Sequence, residues 1–325
     1  MTEQEFEEQL KELSERVLSK TIEPTEPPTA KEILKVSSNI NTNYNSHSEL
    51  SELCARLAGI KAKEVSLDFS KVDFIASNQF AILGCMLDTY RSQYPNTAIY
   101  FTYLKKSIQK TIQKNGFHTH LGIEGLPDIH NTTIPYTIFD INEINEFEKY
   151  IILRIFERQD IPKMSEMVKS KIIDNILEIF NNVKEHTHSS KVYTCGQYFP
   201  RKSLLYFTIV DSGETIPYNV NTYCSSKNIK VPDKPLEWAI APGNTTRQVN
   251  TPGGLGLSLL RDFIELNMGQ LYIVSGNETY EQNGNDTRHM YMEHSFPGTI
   301  VTVVFNLSDE TTYHMDSEPF SEIIF

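Results

Sequence analysis

The chain has 325 residues, of which 39% are hydrophobic and 22% charged, and its formal net charge is −12. This length favours two domains, and the composition is ordinary for a soluble globular protein. The acidic balance argues against nonspecific binding to nucleic acid or to an anionic membrane, where Lys and Arg neutralise phosphate. Neither is therefore an expected partner.

The cysteine pattern and the absence of targeting signals predict the compartment. The cysteines are widely spread and none forms a CxxC pair, which predicts reduced thiols (Cys54, Cys85, Cys195 and Cys224). The first residues show no basic and apolar signal, and no apolar run reaches the length that spans a bilayer. We expect a cytoplasmic protein.

The N-terminus is predicted to form a charged helix over residues 2–20, followed by the proline-rich, acidic linker IEPTEPPT (22–29). Apolar residues recur at helical spacing at Phe6, Leu10, Leu13 and Val17. We expect a surface helix packed on its own domain, with a short dimerising coiled coil as the alternative.

Strand and helix patterns alternate from residue 31 to about 125, which predicts a small α/β domain with parallel strands. A helix in this region is predicted to end at Gly116, a residue type typical of the C-terminal cap. The segments with these patterns are VSLDF (65–69), FIASNQFAILGCMLDTY (74–90), TAIYFTYL (97–104) and SIQKTIQKNGF (107–117).

Beyond residue 135, helical patterns are predicted to dominate through 187, and a loop-like polar stretch is predicted over 214–252. Strands clustered with helices on one side predict an α+β layer. The remaining predicted elements are strands at 192–199 and 203–210, a helix at 257–268, a strand at 271–275, a polar stretch at 276–297 and a strand at 299–305.

The stretch ILEIFNNVKEHTH (176–188) combines a buried and a polar ridge of one helix. Glu178, Asn182 and His186 are four residues apart and point the same way, beside the apolar stripe. Polar groups at a core margin need partners, ions or a ligand. An ordinary polar helix flank is the alternative, and zinc is disfavoured because HExxH is absent. The apolar stripe is Val168, Ile172, Ile176, Ile179 and Val183.

Two later segments have ligand-binding patterns. In YFTIVDSGETIP (206–217) an apolar strand ends at Asp211, which can accept a hydrogen bond from an amino group, and Gly213 allows a flat ring to approach. A plain turn is the alternative there. In TPGGLGLSLL (251–260) glycines enter a helix whose N-terminus suits phosphate, although no Walker A lysine and no preceding strand is present. A flexible loop is the alternative for this segment.

In this order the segments resemble the motifs of the GHKL ATPases, the superfamily of histidine-kinase catalytic domains, type II topoisomerases, mismatch-repair ATPases and anti-sigma-factor kinases. The resemblance covers roughly residues 140–308. The matching motifs are Glu178-x-x-x-Asn182 for the N box, Asp211-Ser-Gly213 for the G1 box, Gly254-Leu255-Gly256-Leu257 for the G2 box, and Thr299 after Gly298 for the Gly-Thr pair of a late strand. The G1 box departs from the family at Thr215, where a second glycine is usual.

The resemblance implies one site for Mg²⁺ and ATP. Asn182 would ligate Mg²⁺, Asp211 would bind the adenine amino group, and Gly213 would leave room for the ring. The G2 box would hold the phosphates, and 218–252 would be the ATP lid. The remaining implied cofactor-binding residues are His186, which matches an Asn-x-x-x-His pattern of anti-sigma-factor kinases, Arg247 for the terminal phosphate, and Gly254, Leu255, Gly256, Leu257 and Thr299.

Glu178 decides what chemistry the resemblance implies. A glutamate in the N box serves many family members as a general base, for water or for a protein hydroxyl. ATP hydrolysis or phosphorylation of a Ser or Thr on a protein partner would follow. Three alternatives remain open: an ATP-dependent partner switch without turnover, a histidine-kinase-like phosphotransferase, and a fold with a degenerate pocket.

The N-terminal part resembles a STAS domain, the fold of anti-sigma-factor antagonists, over residues 30 to 125. At its signature loop this chain reads Ala76-Ser77-Asn78-Gln79, with Asn78 at the usual phosphoserine position. Ser77 is the remaining candidate for phosphorylation. The resemblance implies a docking module for a protein partner.

The expected fold class is α+β, with a STAS-like α/β domain followed by a GHKL (Bergerat) sandwich whose mixed sheet is covered by helices on one face. The predicted function is a cytoplasmic regulatory protein that binds Mg·ATP, and a homodimer stays open because many GHKL proteins dimerise. The predicted segments are 1–29 (helix and linker), 30–130 (STAS-like), 131–310 (GHKL) and 311–325 (tail).

Overall fold

A computed structural model describes residues 31–187, 189–241, 243–244 and 255–315, with 186 and 255–259 described by their backbone alone. The predicted helix over 2–20 and the linker at 22–29 lie outside these residues. The described chain is α+β, as predicted: a parallel three-stranded sheet is followed by an antiparallel five-stranded sheet with helices.

The first unit contains the parallel sheet and its helices. Its elements are β1 (Lys31–Lys35), α1 (Tyr44–Ala58), β2 (Glu64–Asp68), a 3₁₀ turn (Ser77–Gln79), α2 (Phe80–Gln93), β3 (Ala98–Thr102), α3 (Lys106–Lys114) and α4 (His118–Leu121).

The second unit contains the antiparallel sheet. Its elements are β4 (Thr133–Asp140), α5 (Ile144–Ile151) with a π turn (Ile152–Phe156), α6 (Glu166–His186), β5 (Lys191–Phe199), β6 (Leu204–Asp211), α7 (Ile216–Lys227), α8 (Pro235–Ile240), α9 (Leu255–Leu266), β7 (Gln270–Asn283) and β8 (Asp286–Asn306).

The first sheet has the strand order β1-β2-β3, and both neighbouring pairs are parallel. Val65 and Leu67 of β2 are buried against the two connecting helices because alternate strand residues point to the same face. Gly116 has φ +87° directly after the capping residue Asn115, which confirms the predicted end of α3.

The second sheet has the order β4-β5-β6-β8-β7, and every pairing of these strands is antiparallel. The prediction of a mixed sheet is therefore wrong for the described strands. Phe207 and Ile209 of β6 belong to a core with α5, α6 and α9, whereas Val210 belongs to a core with the first unit. All five residues of the predicted apolar stripe of α6 are buried (Val168, Ile172, Ile176, Ile179 and Val183).

The face of this sheet opposite α6 is covered by the first unit. Helices α1 and α2 share one hydrophobic core with Tyr193, Cys195 and Ile300 of the sheet. The helices of the second unit thus cover one face, as predicted, and the first unit covers the other.

Three predicted regions have a different structure. Residues 133–140 form strand β4, although helical patterns were predicted there, because the alternating residues of TIPYTIFD fit an edge strand beside β5. The predicted loop over 214–252 contains α7 and α8, whose first turns carry prolines. The polar stretch 276–297 is a β-hairpin that contains buried polar residues such as Thr279 and Gln282.

The signature loop of the first unit is buried inside the chain. Ser77, Asn78 and Gln79 are each 0% exposed. The Ser77 backbone N–H donates to Gln197 Oε1 at 2.6 Å, and Asn78 Nδ2 donates to Thr208 Oγ1 at 2.9 Å. This loop therefore contacts the second sheet rather than solvent.

Gly84 permits a close approach between the two units. A Cβ on Gly84 would lie 2.1 Å from Tyr136 Oη, and that hydroxyl is already 2.7 Å from His120 Nε2 in a buried contact. We expect Gly84→Ala to lower the free energy of unfolding by about 1–3 kcal/mol through overpacking. Gly59→Ala is the matched control, since its Cβ would meet nothing closer than 3.5 Å. Denaturant unfolding of both variants checks the prediction, and equal midpoints would contradict it.

None of the helices in the described part of the chain is long and apolar enough to cross a membrane.

Candidate functional site

Asp211 lies at the end of β6, directly opposite Thr299 on β8. It is 4% exposed, and its Oδ1 atom has no hydrogen-bond partner among the described residues. A buried carboxylate oxygen without a partner is costly, so it marks a position where a ligand donor would be favourable.

Burial raises the pKa of Asp211 to about 8, and hydrogen bonds from Thr187 and from the Thr299 backbone act in the opposite direction. At neutral pH the free protein therefore holds this carboxyl largely protonated. A donor that reaches Oδ1 would favour the carboxylate and bring the pKa down.

The turn after Asp211 packs against the end of α6. A Cβ on Gly213 would lie 2.1 Å from the Thr187 carbonyl oxygen, and the Glu214 N–H donates to that same oxygen at 2.9 Å. The Gly213 N–H donates to the Pro297 carbonyl at 3.2 Å. Glycine is thus needed for contact with α6, and its role toward a ligand ring stays a prediction.

Thr299 belongs to a small hydroxyl network beside Asp211. Its Oγ1 lies 2.8 Å from Ser275 Oγ, which also accepts the Ile216 N–H at 2.8 Å. This network joins β7, β8 and the start of α7. Thr215, which stands where the family has a second glycine, caps α7 by accepting the Tyr218 N–H.

Glu178 and Asn182 are half-buried on α6. Thr187 caps the C-terminal end of α6, beside the turn at Gly213. With a helical rise of about 1.5 Å per residue, Asn182 lies about 7.5 Å and Glu178 about 13.5 Å from Thr187 along the helix axis. Helix α9 packs against α6, so the segment that follows the predicted phosphate-binding glycines runs beside the N-box helix.

The remaining predicted site residues are described partly or not at all. Arg247 and Gly254 lie outside the described residues, and His186, Leu255, Gly256 and Leu257 are described by their backbone only. The structure therefore brings Asp211, Gly213 and Thr299 together with the end of α6, while the phosphate side of the site stays a prediction.

Sequence reasoning missed two residues that shape this site. The Thr187 carbonyl accepts a hydrogen bond from the turn after Asp211. The Ser275 hydroxyl, on β7, makes hydrogen bonds to β8 and to the start of α7. Neither belongs to a motif that the sequence displays. The only signal for Thr187 is its position four residues after Val183, in continuation of the buried stripe.

The donor set suits the implied groups. The Asn182 amide oxygen is a hard ligand of the kind that Mg²⁺ takes, and the unpartnered oxygen of Asp211 suits an amino group. In the described part of the chain, no group of three or more His, Cys, Asp and Glu residues could hold a metal ion.

No family model matches the chain, and no curated protein matches it.

Proposed function

We propose that the second unit binds Mg·ATP and that the protein is regulatory. The observation that carries the proposal is the buried Asp211 carboxyl, with its unpartnered oxygen, at the junction of β6, β8 and the end of α6. The GHKL resemblance assigns the adenine amino group to this carboxyl, and an amino group could donate to the oxygen that has no partner among the described residues.

Asn182 would be a ligand of Mg²⁺, and the stretch after residue 250 would hold the phosphates. Bound ATP supplies the transferable phosphoryl group. On this proposal Glu178, half-buried on the same helix face as Asn182, accepts the proton of a water or of a Ser or Thr hydroxyl. The alternative is a partner switch that binds ATP without turnover, and Glu178→Gln separates the two by its effect on single-turnover loss of ATP.

The partner would be a protein bound through the first unit. In this structure the signature loop at 76–79 is buried against the second sheet. A partner of the folded chain would therefore bind a different surface of the first unit, and ATP would bias that binding by favouring one conformation.

Asn182→Ala tests the metal part of the proposal. We expect it to weaken Mg·ATP binding by about tenfold while leaving the much weaker binding of metal-free ATP unchanged, because only the Mg²⁺ ligand is lost. Isothermal titration calorimetry with and without Mg²⁺ measures both affinities.

Asn181→Ala is the matched control, since Asn181 is the neighbouring residue, is also half-buried, and points about 100° away around the same helix. Equal losses in the two variants would count against a role for Asn182. An absence of ATP binding by the wild-type protein would overturn the proposed function.

A further inference from the structure

Strand β7 has a buried polar face in the β7–β8 hairpin (276–297), and this face contacts helices α8 and α9. Glu278, Tyr280 and Gln282 alternate along the strand and so point to the same side, and each is 3% exposed. Buried polar groups are costly unless they have hydrogen-bond partners. The contacts of these three side chains therefore constrain where the two helices lie.

The start of α8 is held by two residues of the hairpin. Glu278 Oε2 accepts the Leu236 backbone N–H at 3.1 Å and lies 2.9 Å from His289 Nε2. Leu236 is the second residue of α8, so its N–H has no acceptor within the helix. Just before the helix, Tyr291 Oη donates to the Asp233 carbonyl at 3.1 Å. The hairpin thus fixes the position at which α8 begins.

The end of α8 is held by Arg261 of α9. Arg261 Nη1 donates to the carbonyl of Ile240, the last residue of α8, at 3.2 Å. The guanidinium carbon of Arg261 lies 5.3 Å from the centre of the Tyr280 ring, a distance typical of a cation–π contact. Gln282 Nε2 donates to the Arg261 carbonyl at 3.1 Å. Arg261 therefore joins α9 to the end of α8 and to β7.

We propose that Arg261 is a positioning residue for the phosphate side of the nucleotide site. The inference rests on the proposed function, in which the start of α9 holds the phosphates. Arg261 lies six residues after Leu255, the first residue of α9, or about 9 Å along the helix axis. It acts by fixing α9 against α8 and the hairpin, and it touches no nucleotide. The contacts of Arg261 described above do not involve Asp211, the proposed contact of adenine.

Arg261→Met tests this role, because methionine keeps an unbranched side chain over Tyr280 but cannot donate to the Ile240 carbonyl. Arg261→Lys is the conservative variant, which keeps a charged donor. Arg288→Met is the matched control, since Arg288 is an exposed residue of the same hairpin and the change removes the same charge outside this contact.

Three quantities are measured for each variant. Calorimetry gives the affinity for Mg·ATP, and an NMR titration gives the affinity for adenosine, which has the amino group but no phosphate. Hydrogen exchange without nucleotide gives the protection of the α8 amides (235–240), which reports the contact with α8 independently of any ligand.

We expect Arg261→Met to weaken Mg·ATP binding roughly tenfold and to leave adenosine affinity within about twofold of wild type, because only the phosphate side is displaced. Exchange of the α8 amides should become faster. Arg261→Lys should lose only about threefold for Mg·ATP and nothing for adenosine, since it keeps the donor but not the planar contact with Tyr280. Arg288→Met should leave all three quantities unchanged.

Equal losses for Mg·ATP and adenosine in Arg261→Met would overturn the inference, and so would an equal loss of Mg·ATP affinity in Arg288→Met. If the methionine variant does not fold, Arg261→Lys decides by the same comparison of the two ligands. If the wild-type protein bound neither ligand while exchange of α8 still became faster in Arg261→Met alone, the proposed function would fail and the contact of Arg261 with α8 would stand.

Discussion

Asp211→Asn is expected to weaken ATP binding by about tenfold to a hundredfold, which corresponds to about 1–3 kcal/mol for a buried polar group left without its partner. The amide would present its NH₂ group or its weaker carbonyl to the adenine amino group, and the charge that favours the hydrogen bond would be lost. Calorimetry on wild type and variant measures the difference.

The same carboxyl makes ATP affinity depend on pH. Because burial raises the pKa of Asp211 to about 8 and the ligand binds the carboxylate, wild-type affinity should rise with pH up to about 8 and then level off. In Asp211→Asn this dependence should disappear. A variant with wild-type affinity at pH 8.5 would show that Asp211 does not contact the ligand.

The pH dependence of folding stability is a second test of the raised pKa of Asp211. A carboxyl whose pKa is raised on folding binds its proton more tightly in the folded state, so the stability it confers is complete below about pH 4. That stability is lost as the pH rises toward 8, by at most about 1.4 kcal/mol per pH unit. Asp211→Asn should therefore be more stable than wild type at pH 8, and the difference should shrink at lower pH.

Asp128→Asn is the control, because folding lowers the pKa of Asp128 whereas it raises that of Asp211. Hydrogen bonds from Thr133 and Thr132 hold the pKa of Asp128 below its usual value despite an opposing burial effect. Its stabilising contribution is present above the usual carboxyl pKa and is lost on acidification. Asp128→Asn should be less stable than wild type at neutral pH and should bind ATP normally.

Gly298→Ala is expected to cause the largest loss of stability of the substitutions considered, about 3 kcal/mol or more. Gly298 has φ +152°, and a Cβ there would lie 2.1 Å from the Asp211 carbonyl oxygen. The alanine would combine backbone strain with a collision against main chain that cannot move without breaking the pairing of β6 with β8. Chemical denaturation measures the loss.

Gly122→Ala separates the effect of backbone strain from that of the steric collision. Gly122 has φ +62°, and nothing lies within 4 Å of the Cβ position, so this change carries backbone strain alone, about 1 kcal/mol. If Gly298→Ala cost no more than Gly122→Ala, the close packing at the Asp211 turn would be refuted.

Sequence periodicity predicted the elements whose pattern is continuous. The α6 stripe from Val168 to Val183 is buried as predicted, and β6 ends at Asp211. Strand β4 was missed because TIPYTIFD is short, contains a proline and lies among helical patterns. The strands at 271–275 and 299–305 were predicted, but their extension into a hairpin over 276–297 was missed because residues such as Thr279 and Gln282 are polar yet buried.

The contact between the two units could not be predicted from local patterns. Ser77, Asn78 and Gln79 are typical of an exposed loop, and only the partner surface on β5 and β6 explains their burial. Likewise, the motif at Asp211 predicted a ligand contact but not the packing of Thr187 against Gly213. Such contacts depend on residues far apart in the chain, which neither propensity nor spacing encodes.

The most direct test of the central claim compares Mg·ATP with Mg·ITP, in which a carbonyl replaces the 6-amino group. If the Asp211 carboxylate accepts a hydrogen bond from that amino group, calorimetry on the wild-type protein should show ATP bound at least about tenfold more tightly than ITP, and Asp211→Asn should lose the preference. Equal affinities of the wild-type protein for the two nucleotides, or no binding of either, would contradict the account.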